Sequence, residues 1–264
     1  MPEVVPSSSY FVRTLQTLHT PIIHGRHNWC RVGECYYVDM KTKLNKKLGE
    51  RKARAKHIVA YLKKTYPEPE SELAHKTPMQ FLVAVIMSAQ CTDKAVNRLT
   101  ATLFKKYKTP LDFARAKPGE FTKEISSIPF YNNKAKAIIG AAKKIVADYK
   151  GKIPNNIKEL QTLPGVAYKT ANVVLGELYG VYDGIPTDTH VKRFAKRFDL
   201  VDSDDLTKIS KELEELIPKK DWMYVNNGFV LYGRYVCPAR PHECAQHPLT
   251  KLWPAAGSRW PKAK

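Results

Sequence analysis

A chain of 264 residues with 43% hydrophobic content has enough apolar text to bury one or two cores, which excludes a wholly disordered protein. Forty-four Lys and Arg against 25 Asp and Glu leave a formal charge of +19, more than solubility requires, so a polyanionic partner is expected; nucleic acid leads, although basic ribosomal and membrane-surface proteins share the balance. No stretch of roughly 18 apolar residues exists and Met1 to Thr20 lacks the order of a secretory signal, so a cytoplasmic protein with no membrane partner is expected.

Residues 1–45 read as an N-terminal extension, either disordered or produced by a start placed upstream of a true one at Met40, because Ser, His, Pro and aromatics mix there without a helical period. Helical text begins after Met40, and Ile58, Val59 and Leu62 form the first apolar stripe. Thr77 and Pro78 supply a cap and a first-turn proline ahead of MQFLVAVIMSAQ, whose nearly continuous apolar character predicts a central helix buried on most sides. Thr92 caps the next helix, with Val96, Leu99, Leu103 and Phe104 at three- and four-residue steps. Further helices are predicted from about Pro110, Gly119, Asn133, Asn156, Tyr168, Asp188, Ser203 and Asp221. Loops are short and no strand is evident, so the fold class is all-α.

The segment LPGVAYKTANVVL, Leu163 to Leu175, joins two helices through a Pro-Gly turn. Two readings stand: a plain turn between packed helices, or a hairpin whose backbone N–H groups at a helix N-terminus take a phosphate without reading sequence. Lys169 falls in the first turn of the second helix, where the positive end of the dipole disfavours a charged amine and favours a nucleophilic one. In IPTDTHVKRF, Asp188 sits at a helix N-cap, a place that by itself explains an ionised carboxylate.

LPGVxxK followed by an apolar helix and a DTHV box resembles the endonuclease III family of helix-hairpin-helix DNA glycosylases, whose catalytic Lys and Asp occupy the positions of Lys169 and Asp188. The resemblance extends through SAQCTD at Ser88–Asp93, PFYNNKA at Pro129–Ala135 and LYGRYVC at Leu231–Cys237, covering roughly residues 46–244. It implies a two-domain fold, with a six-helix barrel over 71–181 carrying the hairpin, a second domain from 46–70 plus 182–264, and double-stranded DNA in the cleft between them. It also implies a monomer associated with the nucleoid. The implied activity is base-excision repair: a damaged nucleotide is flipped out, Lys169 attacks the sugar and a Schiff base leads to β-elimination, with oxidised or ring-saturated pyrimidines as substrates. Implied DNA contacts are Gln90, Phe130, Asn132, Gly165, Ala167, Thr189 and His190, with Gln90 filling the vacated space and Phe130 at the inserting position. Ordinary alternatives are a helix-terminal polar residue for Gln90, loop core for Phe130, and a packed or phosphate-facing role for His190. The rival functions are a monofunctional mismatch glycosylase and a non-catalytic protein that binds damaged DNA.

The chain departs from the family at two places. Many relatives carry four cysteines spaced C-x6-C-x2-C-x5-C that hold a [4Fe–4S] cluster; here Cys237 and Cys244 keep the first spacing, and His247 and Trp253 stand at the other two positions. No cofactor is therefore required and the cluster is expected to be absent; zinc at Cys237, Cys244 and His247, with His242 a further ligand, is a secondary reading, and recruitment of Cys30 and Cys35 a remoter one. Leu252, Trp253 and Trp260 are expected to pack over the vacated space. Ala167 replaces the usual glycine of the hairpin and Tyr168 a residue that is often basic, which raises the question whether a β-carbon hinders close phosphate approach.

Overall fold

The computed structural model describes residues 32–258, with side chains from 42 to 257. Its helices in chain order are α1 (Val32–Thr65), α2 (Pro78–Ser88), α3 (Asp93–Lys106), α4 (Pro110–Ala114), α5 (Pro118–Glu124), α6 (Tyr131–Asp148), α7 (Ile157–Leu160), α8 (Tyr168–Tyr179), α9 (Thr189–Arg197), α10 (Leu206–Leu216), α11 (Trp222–Tyr235), α12 (Pro248–Leu252) and α13 (Ala255–Ser258). No strand occurs among the described residues, and none of these helices is long and apolar enough to cross a membrane. The all-α expectation holds.

Two compact units divide at Glu50 and Arg51. In the first, α1 already begins at Val32, inside the segment read as lacking a helical period. Positions 42–50 are all exposed. Residues 1–31 lie outside the described residues.

The second unit contains two hydrophobic cores. One is built from α2 to α8, with α2 at its centre: every residue from Met79 to Met87 is buried, and the rings of Tyr107, Phe113 and Phe121 close the end beside α3. The other combines Ala55, Ile58, Val59 and Leu62 of α1 with α9 to α13, where Phe194 stacks on Phe229 and meets Tyr232 edge-on. Local chemistry sets the helix starts. Thr77, Thr92, Thr109, Asn156 and Asp205 each accept a backbone N–H of the first turn, and Thr109 with Asp112 forms a reciprocal capping box. The helix expected from Ser203 therefore starts at Leu206, since Asp205 supplies the cap and Ser203 Oγ instead accepts the Asp205 N–H.

The two lobes are tied across the linker that precedes α2. Asn227 donates to the Pro69 carbonyl at 2.6 Å, and Arg234 of α11 pairs with Glu72 and, at 2.6 Å, with Asp93 at the start of α3. These contacts hold the edges of a cleft.

Candidate active site

The hairpin runs from α7 through Leu163–Gly165 into α8. Leu163 and Val166 are buried in the first core, and the Val166 N–H donates to the Leu163 carbonyl, closing the turn at 3.1 Å. Gly165 is required twice over: its φ is +78°, and a Cβ there would lie 2.7 Å from Ala137 Cβ on α6. Ala167 has φ −80° and ψ 171°, extended backbone open to any residue, so alanine costs nothing there in strain. Ala167 and Tyr168 are exposed and no side chain caps α8, so the first N–H groups of the helix, at its positive end, have no side-chain acceptor.

Lys169 stands on that first turn and Asp188 caps α9 in the other lobe. The two carboxylate oxygens of Asp188 are differently engaged. Oδ1 accepts the N–H groups of His190 at 2.8 Å and Val191 at 2.9 Å, which fixes the side chain; Oδ2 lies 3.3 Å from Lys169 Nζ. Cap and charge partner are thus one residue. Asp188 is mostly buried, whereas the lysine side chain remains half exposed and open to the cleft.

A cavity of about 390 Å³ opens beside this pair, lined by Gln90, Thr189 and His190 together with Glu72, Glu177 and Arg234. His190 is partly buried, packed against Arg193 with its Nδ1 3.4 Å from a guanidinium nitrogen. Burial holds its pKa below the ordinary histidine range, against the opposing pull of Asp188. Gly233 permits this packing, since a Cβ there would collide with His190 Nδ1 and Arg193 Nη2. Burial also raises the carboxyl of Glu177, which accepts the Ser71 N–H, and pushes the phenol of Tyr182 on the same wall up to about 12.

Phe130, Asn132, Gly165 and Ala167 lie outside that cavity, and all four are exposed. Phe130 is not loop core. It is 60% exposed and N-caps α6 with φ +58°, a left-handed conformation that costs a non-glycine residue about 1–2 kcal/mol. Gln90, at φ +53°, is equally unusual. One buried side chain joins these two segments: Lys134 Nζ donates to the carbonyls of Met87 at 2.8 Å and Ala89 at 2.7 Å, while its backbone N–H donates to Phe130 O. Burial lowers its pKa. Sequence reasoning missed Lys134, because a lysine in α6 reads as a solvated residue, and it missed the Glu72–Arg234–Asp93 network, whose members are far apart in the chain.

Residues 83–219 match the model of the HhH-GPD superfamily base excision DNA repair proteins. The chain is 43% identical over 213 residues to endonuclease III of Synechocystis sp., covering 81% of this chain and 97% of that protein. The chain belongs to the endonuclease III family. Endonuclease III of Bacillus subtilis is 44% identical over 188 residues, 71% of this chain and 85% of that one. Among solved structures, a non-covalent endonuclease III–DNA complex aligns with a TM-score of 0.73 at 37% identity, covering 79% of this chain and 97% of that one. A trapped endonuclease III–DNA covalent intermediate aligns at 0.72 with the same identity, covering 79% and 98%.

The endonuclease III cluster region is altered here in structure as well as sequence. Arg197, buried on α9, donates from Nη1 to Cys237 Sγ at 2.6 Å and from Nη2 to Cys244 Sγ, and its Nε donates to Ala256 O. One guanidinium therefore bridges the two sulfurs, an imidazole and an indole occupy the remaining family positions, and these residues do not fit a four-thiolate iron–sulfur cluster. Cys237, His247 and His242, the further ligand considered, form a group that could hold a metal ion. Cys30, the side chain of Cys35 and Trp260 lie outside the described residues. Leu252 is exposed rather than packed over the site; Leu249 and Ala256 fill that core, and Trp253 lies under the Arg54 guanidinium at 3.6 Å.

Proposed function

We propose that this protein is a bifunctional DNA glycosylase and AP lyase that removes oxidised or ring-saturated pyrimidines from double-stranded DNA. The observation that carries the reading is the Lys169–Asp188 pair, 3.3 Å apart across a cleft between a hairpin lobe and a second helical lobe. With the lobes assigned as 71–181 and 46–70 plus 182–264, phosphate binds the N–H groups of Gly165 and Ala167 and the start of α8. The flipped nucleotide enters the cavity at a cost of a few kcal/mol of lost stacking. Gln90 and Phe130 take up the space it leaves, with Asn132, Thr189 and His190 on the adjoining backbone.

Asp188 Oδ2 accepts a proton from Lys169, whose Nζ lone pair attacks C1′ of the sugar as the bond to the base breaks; Asp188 passes that proton on to the departing base and is a carboxylate again. The same carboxylate stabilises positive charge growing at C1′. Ring opening of the sugar gives a protonated Schiff base; loss of a C2′ proton then expels the 3′ phosphate. None of these steps uses a metal. We take the protein to act as a monomer on the nucleoid in the cytoplasm. Incubation with a duplex containing one thymine glycol tests the reading: wild type is expected to release the base and cut the strand, and Lys169→Ala to do neither. Release without strand cleavage would instead establish a monofunctional glycosylase.

A further inference from the structure

Between α11 and α12 the chain folds back so that Cys237, His242 and His247 converge, their donor atoms all within 4.8 Å of one another. A tetrahedral ion with bonds of about 2.0–2.3 Å needs donors roughly 3.3–3.7 Å apart, so modest side-chain rotation closes the set. The surroundings are those of a metal ligand set rather than of a polar surface. Cys237 is 1% exposed. The His242 ring lies with Nδ1 2.7 Å from the Arg240 carbonyl; donation of the Nδ1 proton there leaves the Nε2 lone pair for a ligand bond, the usual outer contact of a metal-bound histidine. His247 Nδ1 is buried and has no hydrogen-bond partner, an arrangement that calls for an ion or a water. The two rings are nearly parallel, at 24°, with centroids 5.1 Å apart.

We propose that this segment is a structural zinc site, with Cys237, His242 and His247 as three ligands and Cys244 as the fourth. Cys244 and His247 are already joined by a turn in which the His247 N–H donates to the Cys244 carbonyl at 3.0 Å, and this two-residue spacing suits a shared ion. Arg197 holds both sulfurs and supplies the N–H donors that bound thiolates accept. A mixed thiolate and imidazole set selects zinc over magnesium or calcium, and its two sulfurs are too few for a four-thiolate cluster. Binding releases the Cys237 and Cys244 thiol protons to solvent, and no electron moves.

The full chain, expressed with added zinc and gel-filtered, is expected to carry about one zinc per molecule by mass spectrometry. Cobalt replacing it should give intense tetrahedral ligand-field bands and a sulfur-to-cobalt charge-transfer band. Cys237→Ser and His247→Ala should each weaken zinc affinity more than about tenfold in competition with a chromophoric chelator. Should either variant fail to fold, chelator extraction of the wild-type protein, followed by cobalt titration, gives the same test. Substoichiometric zinc with an octahedral cobalt spectrum, unchanged affinity in both folded variants, or stoichiometric iron and sulfide in the isolated protein would each overturn the proposal.

Discussion

Asp188 carries two jobs on two oxygens, and they can be separated. Asn keeps an oxygen able to accept the His190 and Val191 N–H groups but removes the charge facing Lys169, whereas Ala removes both. Asn and Asp cap about equally well, and losing a cap to Ala costs about 1 kcal/mol, which in a domain of this size lowers the melting temperature by about 2–4 °C. The lysine is half exposed, so its ion pair adds only about 0–1 kcal/mol to stability. Chemistry weighs more: loss of a positioned proton acceptor typically costs about 10²- to 10⁴-fold, or about 2.7–5.4 kcal/mol of barrier. Asp188→Asn should therefore melt within about 2 °C of wild type yet lose at least about a hundredfold in single-turnover base excision. Asp188→Ala should lose both. The assay pairs quench-flow excision from a thymine-glycol duplex with calorimetric melting of each variant. An Asn variant within about tenfold of wild-type excision, or one destabilised as far as the Ala variant, would refute this division of roles.

Gly165→Ala combines a left-handed φ with a clash at Ala137, and should lose about 1–2 kcal/mol or more of stability and weaken binding to undamaged duplex in fluorescence anisotropy. Unchanged melting and affinity would show that the turn is not rigid. Lys134→Met deprives the Met87 and Ala89 carbonyls of their donor, a loss of about 1–3 kcal/mol. If Lys134 sets the Gln90 and Phe130 segments, base excision should fall more than strand cleavage at a preformed abasic site; equal losses would make it a purely structural residue. Because His190 has a depressed pKa, the unfolded state takes up its proton first, near the ordinary value of 6.5. Its contribution to stability is thus complete above that pH and is lost on acidification through the folded value. His190→Asn should flatten that limb in urea melts between about pH 4 and 7, and an unchanged limb would remove His190 from the account.

The sequence was most informative where one local signal decides structure. The apolar run of α2 has no polar face to expose, and Thr77 with Pro78 ahead of it suits a helix start, so both were legible. Lys169 and Asp188 were readable as a pair only through the resemblance of LPGVxxK and the DTHV box to the endonuclease III family, since local signals alone make Asp188 a helix cap. What escaped notice depends on distance. Lys134 is an ordinary lysine until α6 lies against the end of α2, and Arg197 is a basic residue in a basic helix until Cys237 and Cys244 come beside it. Phe130 was ambiguous because composition does not report backbone φ.

The most direct test of the account is where the DNA becomes attached. Wild-type protein incubated with an abasic-site duplex and borohydride, digested and mapped by mass spectrometry, should carry the reduced sugar on the peptide containing Lys169, and Lys169→Ala should yield no adduct. An adduct on another lysine, or strand cleavage by wild type with no adduct at all, would contradict the assignment of Lys169 as the nucleophile.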